Sequence, residues 1–529
     1  MRASNALLDA ASVRAMVTAP HALAAEIGAR ALADGGSAAD AAVAIGAALA
    51  VVYPHMTGIG GDAFWLYFDS ATGATVAYNG SGAAAALADV SYYRRRRADS
   101  IPTRGPGAAL TVPGAVDAWF AIHERFGRLD VRQLLGPAIA CARDGVAIAP
   151  SVARALIEER EWLGRDDGAR SAYLGATETL VQSALARTLE MIAAEGRAWF
   201  YEGPAAAAIS AWAKRAGSPL RVEDFAEHRG FAAEPAAGSF AGLDSLVTPP
   251  NSQGVTLIAA QQIFEAFAGS EVPAEGSAEL LHAAIECAKL AYVDRDRLIG
   301  DPAADSGALA EFISKGYASR QAATLRWDRA APANPATAES GTTYFACVDP
   351  EGNAVSYIQS LYHHFGAAVL VPEVGIVLQN RGIAFTLDDN RARSLAPRRR
   401  PFHTLMAAML MSGGKPRIVY GSMGGDAQPQ IGLALAIRVA LHGCTPRRAV
   451  EAPRWRWYGT GVGAGGRVAV ERRVGDACVD GLRARGHELD VLGDWEESMG
   501  HAGAIVIDRD TGELSGAADP RGDGAAIGL

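Results

Sequence analysis

Thr342 is where the sequence invites chemistry. A threonine hydroxyl is a poor nucleophile until a base sits beside it, and the residue's own α-amino group becomes that base once the preceding peptide bond is cut. The amine titrates at about pH 8, so it can take the hydroxyl proton. The junction Gly341-Thr342 suits such a cut. Arg329 to Gly341 (RAAPANPATAESG) is rich in Ala and Pro, lacks periodicity and reads as a linker; glycine leaves the carbonyl open, and a strand pattern starts at Thr342. Thr342 to Asp349 alternates, Pro350-Glu351-Gly352-Asn353 is a turn, and Ala354 to Tyr362 returns. Pairing Asp349 with Ala354 sets Thr342 opposite Ser360 or Leu361, where the Ser360 hydroxyl can orient it. Read alone, a Thr-Thr pair opening a strand is also what strand propensity produces.

A second feature is Gly421-Ser422-Met423-Gly424-Gly425, at the end of one predicted strand and just before a helix starting near Pro429. Adjacent glycines let backbone N–H groups converge on one point, as an oxyanion requires; a plain strand-to-helix turn is the alternative. Gly58, Gly60 and Ala63 fit the GxGxxA nucleotide fingerprint. The strand-like Phe64 to Phe68 follows them, however, so no phosphate site is expected. His363-His364 is expected on adjacent strand residues with rings on opposite faces, and no metal constellation is visible. His282, Glu286 and Lys289 recur at helical spacing, a stripe read as an exposed or interfacial helix face.

These residues need a scaffold. Helices are expected at Ala115 to Phe126, Leu180 to Glu195, Pro204 to Ala216, Ala278 to Arg297 and Pro429 to Leu441. Ser37 and Asp40 mark another start after Gly35-Gly36. Hairpins are expected at Leu405 to Tyr420 and Ala502 to Ala518, and the mixture predicts a layered α+β protein. Length alone, 529 residues, leaves the domain count open. A net charge of -9 argues against a nucleic-acid partner; Arg94 to Arg97 and Arg398 to Arg400 read as solvated loops or local anion sites. Five scattered cysteines give neither a disulfide framework nor a zinc site. Ala41 to Tyr53 is too short to span a bilayer and reads as a buried helix; with no apolar run behind a basic start, a cytoplasmic, reducing location is expected.

Seven blocks carry a wider resemblance: GGSAADAAVA (Gly35 to Ala44), GIGGDAFWL (Gly58 to Leu66), VPGAV (Val112 to Val116), PPNSQG (Pro249 to Gly254), TTYFACVDPEGNAVS (Thr342 to Ser356), GSMGGD (Gly421 to Asp426) and GAADPR (Gly516 to Arg521). In this order they resemble the gamma-glutamyltransferase family from about Ala19 to Leu529. The resemblance implies a four-layer αββα fold and self-cleavage between Gly341 and Thr342. The products would be a large chain (1–341) and a small chain (342–529) that form one folded unit. It implies Thr342 as nucleophile, Ser360 as its supporting hydroxyl and Gly424 with Gly425 as the oxyanion hole, without metal or cofactor. A dimer of the processed pair is a further expectation.

The departures concern the substrate. Gly80 stands where the family's donor-gripping arginine is expected, Arg381 and Ala384 replace a Gln and an Asp, Tyr362 replaces an Asn, and His403-Thr404 replaces a Ser-Ser pair. A γ-glutamyl group would lose most of its charged contacts. With SYIQSLYHHFG (Ser356 to Gly366), QNRG (Gln379 to Gly382), RPFHTL (Arg400 to Leu405) and MGHAGAIV (Met499 to Val506), the pattern is similar to the oxamate amidohydrolase branch. That similarity implies a small carboxylate-bearing amide as substrate, with Arg381, Asn380, His403, Thr404 and Tyr362 around it, and oxalate and ammonia as products. The alternatives are a γ-glutamyl hydrolase or transferase, a cephalosporin-acylase-like activity, and an unprocessed binding protein without chemistry.

Overall fold

The computed structural model describes residues 9–12, 14–301, 306–331, 341–388, 393–458 and 466–529. Residues 1–8 of the amino terminus and 332–340 of the expected linker lie outside them.

Two seven-stranded antiparallel sheets face each other. The first runs Asp9–Ser12, Leu514–Ala518, Ala502–Ile507, Lys415–Ser422, Ala408–Ser412, Leu243–Val247, Ala236–Phe240. The second runs Ala525–Gly528, Met16–Ala19, Gly341–Val348, Ala354–Tyr362, Asp62–Asp69, Ala74–Asn79, Phe231–Ala233. Alternation within a strand builds the layers. Phe64, Leu66 and Phe68 point between the sheets, where they join Tyr344, Ile358, Leu405, Met409, Val419 and Ile505 in one buried cluster. Ala63, Trp65 and Tyr67 point outward, into a cluster with the Ala38–Val52 helix. Helices Gly254–Ala268, Ala278–Leu298 and Gln428–Ala436 cover the outer face of the first sheet. The result is helix, sheet, sheet, helix, the four layers expected.

Local rules explain the elements. Ser37 and Asp40 form a reciprocal capping box, and every residue of the Ala38–Val52 helix is buried because its small side chains let neighbours close around it. Helices Ala115–Phe126 and Pro204–Ala216 stand where expected. The Leu180 helix begins only at Ser183, because Thr179–Leu180 pairs instead with Val146–Ala147. Asp62–Asp69 is a strand, so the glycines before it open no nucleotide-binding helix.

Several expectations are corrected. His282, Glu286 and Lys289 are buried, not exposed. The His282 Nε2 edge bonds the Arg326 carbonyl at 2.7 Å, so its Nδ1 accepts from His487 at 2.8 Å. Lys289 Nζ donates to Glu286 Oε1 at 2.6 Å, and Ala331 N to Glu286 Oε2 at 2.7 Å. His282, Glu286 and His487 are close enough to share an ion. Each ligand atom already has a protein partner, however, and Glu286 is paired with the Lys289 ammonium, so the cluster is a hydrogen-bonded clamp. The Arg398 to Arg400 run starts exposed, as a solvated loop should, and is held to the protein at each residue. Arg398 pairs with Glu227, Arg399 bonds the Ser394 carbonyl, and the Arg400 amide donates to Asp301.

Candidate active site

Thr342 is fully buried near the start of a central strand. The register passes from Gly341↔Tyr362 to Thr343↔Gln359, so an irregularity leaves Thr342 facing Ser360 and Leu361, as the hairpin argument required. The Tyr362 amide donates to Ser360 Oγ at 2.7 Å, and the Ser360 hydroxyl donates to the Gly341 carbonyl oxygen at 2.7 Å. Thr342 Oγ1 donates to the same oxygen at 2.6 Å and lies 3.3 Å from Ser360 Oγ. The Thr342 hydroxyl, the carbonyl ahead of it and the Ser360 hydroxyl that donates to that carbonyl are thus in contact.

The glycine turn follows the Lys415–Ser422 strand. Gly424 has φ +136°, a conformation that side chains avoid, and a Cβ there would come within 2.9 Å of Ile431 Cδ1. Among the described residues no hydrogen bond ties up the amide of Gly424 or Gly425. Distant residues clamp the turn: Gln253 Nε2 donates to the Gly425 carbonyl at 2.9 Å, and Arg295 pairs with Asp426 at 2.6 Å and donates to Gln253 Oε1 at 2.9 Å. Burial pulls the Arg295 guanidinium down, but Asp296 and Asp426 outweigh it and hold it above its usual value. Gln253 lies in the PPNSQG block, yet nothing in the sequence ties it to the turn.

Arg381 is fully buried beside the strand end, against Tyr362. Its guanidinium lies 3.8 Å over the Tyr362 ring, and Nη1 donates to Thr404 Oγ1 at 3.0 Å. Nε and Nη2 have no hydrogen-bond partner. Burial lowers its pKa to about 10, against the pull of Tyr362, Asp62 and Asp426, so it is charged at neutral pH. Tyr362 takes φ +82° to place its ring there, and stacks on His363. Burial pushes the Tyr362 phenol up to about 12.

Asp62, also fully buried, is a group that sequence reasoning did not single out. Its Oδ1 accepts from Gly82 N at 3.0 Å, Gly114 N at 3.1 Å and Gln379 Nε2 at 3.0 Å. Backbone reaches it so closely because Gly82 and Gly114 lack a Cβ, which would lie 1.5 Å from the Val112 oxygen and 1.6 Å from the Gly80 oxygen. Burial pushes the Asp62 carboxyl up to about 7, against Gln379, Arg381 and those amides. His403 Nδ1 accepts from Leu405 N at 3.3 Å, so Nε2–H donates to Asp62 Oδ2 at 3.1 Å. Burial, then Arg381, keeps His403 well below its ordinary pKa and neutral.

Of the expected substrate contacts, Thr404 and Tyr362 touch Arg381 directly and His403 faces Asp62. Asn380 is used otherwise: it accepts from His363 N at 3.1 Å and donates to the Thr103 carbonyl at 2.8 Å, which occupies both ends of its amide. Gly80 cannot hold an arginine's counterpart without rearrangement, since a Cβ would sit 2.8 Å from the Ala63 oxygen and 2.9 Å from Ala118 Cβ.

A cavity of about 250 Å³ opens on Gly341, bounded by Arg104, Glu159, His363, His364 and Glu497. The strand ends at Tyr362, so the two histidines follow it and line one cavity, correcting the expectation of opposite faces.

A helix–sheet–sheet–helix sandwich with a threonine at the head of a central strand defines an N-terminal-nucleophile hydrolase fold. The family model described as Gamma-glutamyltranspeptidase matches residues 24–529, and the chain belongs to that family of autoprocessing enzymes. It is 41% identical over 520 residues to the Glutathione hydrolase-like YwrD proenzyme of Bacillus subtilis, covering 97% of this chain and 98% of that one. It is 38% identical over 528 residues to the Oxamate amidohydrolase proenzyme of Klebsiella pneumoniae, covering 98% and 99%. The crystal structure of cephalosporin acylase from Bacillus halodurans superposes with a TM-score of 0.92 at 32% identity over 100% of this chain and 98% of that one.

Proposed function

We infer that the chain cuts itself between Gly341 and Thr342 and then hydrolyses a small carboxylate-bearing amide of the oxamate type. In maturation Thr342 Oγ1 attacks the Gly341 carbonyl carbon while Ser360 stabilises the developing oxyanion. The C–N bond then breaks as the acyl group moves to Oγ1 and the hydroxyl proton passes to the Thr342 nitrogen, leaving it a free amine; water then hydrolyses the ester, freeing the Thr342 hydroxyl and a Gly341 carboxylate. The products are residues 1–341 and 342–529. Strands from both sides of the cut pair within each sheet, Met16–Ala19 beside Gly341–Val348 and Asp62–Asp69 beside Ala354–Tyr362 in one and Leu243–Val247 beside Ala408–Ser412 in the other, which supports two chains held as one unit.

In turnover the amine takes the hydroxyl proton, Thr342 attacks the amide carbon, ammonia leaves, and water releases the acid. Gly424 and Gly425 offer their amides to the oxyanion.

One observation carries the substrate class: Arg381 is a buried cation with two nitrogens unpartnered and no ion pair among the described residues. An uncompensated buried charge is costly unless something binds it. A substrate carboxylate received by its free Nε–Nη2 edge would form two parallel hydrogen bonds, with Tyr362 and Thr404 fixing the plane. The 38% identity to an oxamate amidohydrolase proenzyme supports the same reading.

The glutathione hydrolase-like relative favours a second reading, γ-glutamyl hydrolysis. Ammonia release from a panel of small amides by the matured protein decides. Oxamate turnover supports the first reading, whereas faster release from a γ-glutamyl anilide than from any carboxylate-bearing primary amide supports the second.

A further inference from the structure

With a substrate carboxylate on the free Nε–Nη2 edge of Arg381 and Thr342 attacking the amide carbon, the spacing of those two groups sets how long the acyl part can be. One residue reaches both. The Tyr362 amide donates to Ser360 Oγ at 2.7 Å, and that oxygen lies 3.3 Å from Thr342 Oγ1. The Tyr362 ring covers the guanidinium, its centroid 3.8 Å from Arg381 Cζ. Nucleophile and cation are thus bridged by a single tyrosine. Arg381, His403 and Thr404 expose no surface, and Thr404 Oγ1 accepts from Nη1 at 3.0 Å, which closes that end of the guanidinium.

The ring is held where it is. Tyr362 has φ +82°, a region that residues with a β-carbon rarely enter. Its amide is tied to Ser360, its backbone stands opposite Gly341, and its ring stacks on His363 with centroids 4.8 Å apart and planes 18° from parallel. Strain of this kind persists only where the surroundings over-determine it. Face-on contact with a buried cation gives the constraint a use: the ring covers one face of the guanidinium and leaves an in-plane approach to the unpartnered Nε and Nη2. A flat two-carbon acid amide continues that plane. A tetrahedral carbon next to the carboxylate puts substituents on both faces of it, including the face the ring covers.

We propose that Tyr362 is the residue that determines substrate length at this site, its ring admitting short, flat acid amides of oxamate size. Longer acids, and acids with an amino group beside the carboxylate, are excluded by the same ring. The inference rests on the reading of Arg381 as the substrate's carboxylate partner.

The test is ammonia release by the matured enzyme from oxamate, malonamate, succinamate and glutaramate, a series that lengthens by one methylene at a time. One methylene in a fitted pocket is worth about 10–200-fold, so wild-type kcat/KM is expected to fall steeply along it. Tyr362→Gly suits the positive φ and keeps the amide that holds Ser360, so self-cleavage should proceed normally. Its kcat/KM ratio for glutaramate over oxamate is expected to rise at least about tenfold. Tyr362→Phe, which keeps the ring, should retain the wild-type ratio. Asn also tolerates positive φ, so Tyr362→Asn carries the same comparison should the Gly variant not fold. An unchanged ratio in the ringless variants would overturn the proposal, as would an equal rise in Tyr362→Phe. Loss of maturation in both Tyr362→Gly and Tyr362→Asn would overturn it too, by making the residue structural. Failure of the Arg381 reading looks different: the wild-type enzyme would hydrolyse no member of the series.

Discussion

The Ser360 hydroxyl donates to the Gly341 carbonyl oxygen at 2.7 Å, the oxygen that must carry negative charge when Thr342 attacks. The Tyr362 amide occupies one Ser360 lone pair and so fixes where the hydroxyl hydrogen points. Losing one such donor typically costs about 10²–10³ in rate. Ser360→Ala is therefore expected to slow self-cleavage by about 100-fold without preventing it, followed as the decay of full-length chain on denaturing gels. An unchanged rate would remove Ser360 from the mechanism.

Arg381 separates catalysis from stability. Arg381→Lys keeps charge but loses the fork, so kcat/KM for a carboxylate-bearing amide is expected to fall at least about tenfold, about 1.4 kcal/mol of transition-state binding, while self-cleavage proceeds normally. Arg381→Met removes an unpaired buried charge. Its Tm is expected to rise while hydrolysis of carboxylate-bearing amides is lost. A lower Tm with activity retained would make Arg381 a structural residue.

Asp62 accepts three N–H groups on Oδ1 and the His403 Nε2–H on Oδ2. Asp62→Asn keeps the first set but turns an amide donor toward His403, leaving two buried donors face to face. The expected cost is about 1–3 kcal/mol, read from denaturant midpoints. Full recovery in Asp62→Asn with His403→Ala would trace it to that contact.

Acid sensitivity follows from Asp519. Burial pushes its carboxyl up, but Arg454 and Arg521 outweigh burial and hold it at about 2. An unfolded aspartate titrates at about 3.9, so between those values the unfolded chain binds more protons and stability falls as the pH falls. The contribution is full above about pH 4 and is lost progressively down to about pH 2, on the order of 1–3 kcal/mol. Asp519→Asn, less stable at neutral pH, should lose that part of the slope in urea titrations.

Readable features of the site were those whose partners are close in sequence. The Pro350 to Asn353 turn fixes the hairpin, and the hairpin alone sets Ser360 against Thr342. Ser37 and Asp40 likewise announce their helix within four residues. Asp62, Gln253 and Arg295 stayed hidden because their partners lie far along the chain, Asp62 341 residues from His403 and Gln253 172 from Gly425. Periodicity does not encode such contacts. The His282 stripe misled for the same reason: its polar groups are satisfied by His487 and by the Arg326 and Ala331 backbone, which a helical pattern does not reveal. The histidine pair misled because the backbone turns at Tyr362, φ +82°, so that neither histidine continues the strand.

The central claim is that Thr342 becomes a chain terminus. Intact mass and amino-terminal sequencing of purified wild-type protein test it directly. The account predicts two polypeptides that stay together under native conditions, the smaller beginning Thr342-Thr343-Tyr344, and a single uncut chain from Thr342→Ala. A fully active wild-type protein that remains one continuous chain across Gly341-Thr342 would contradict it.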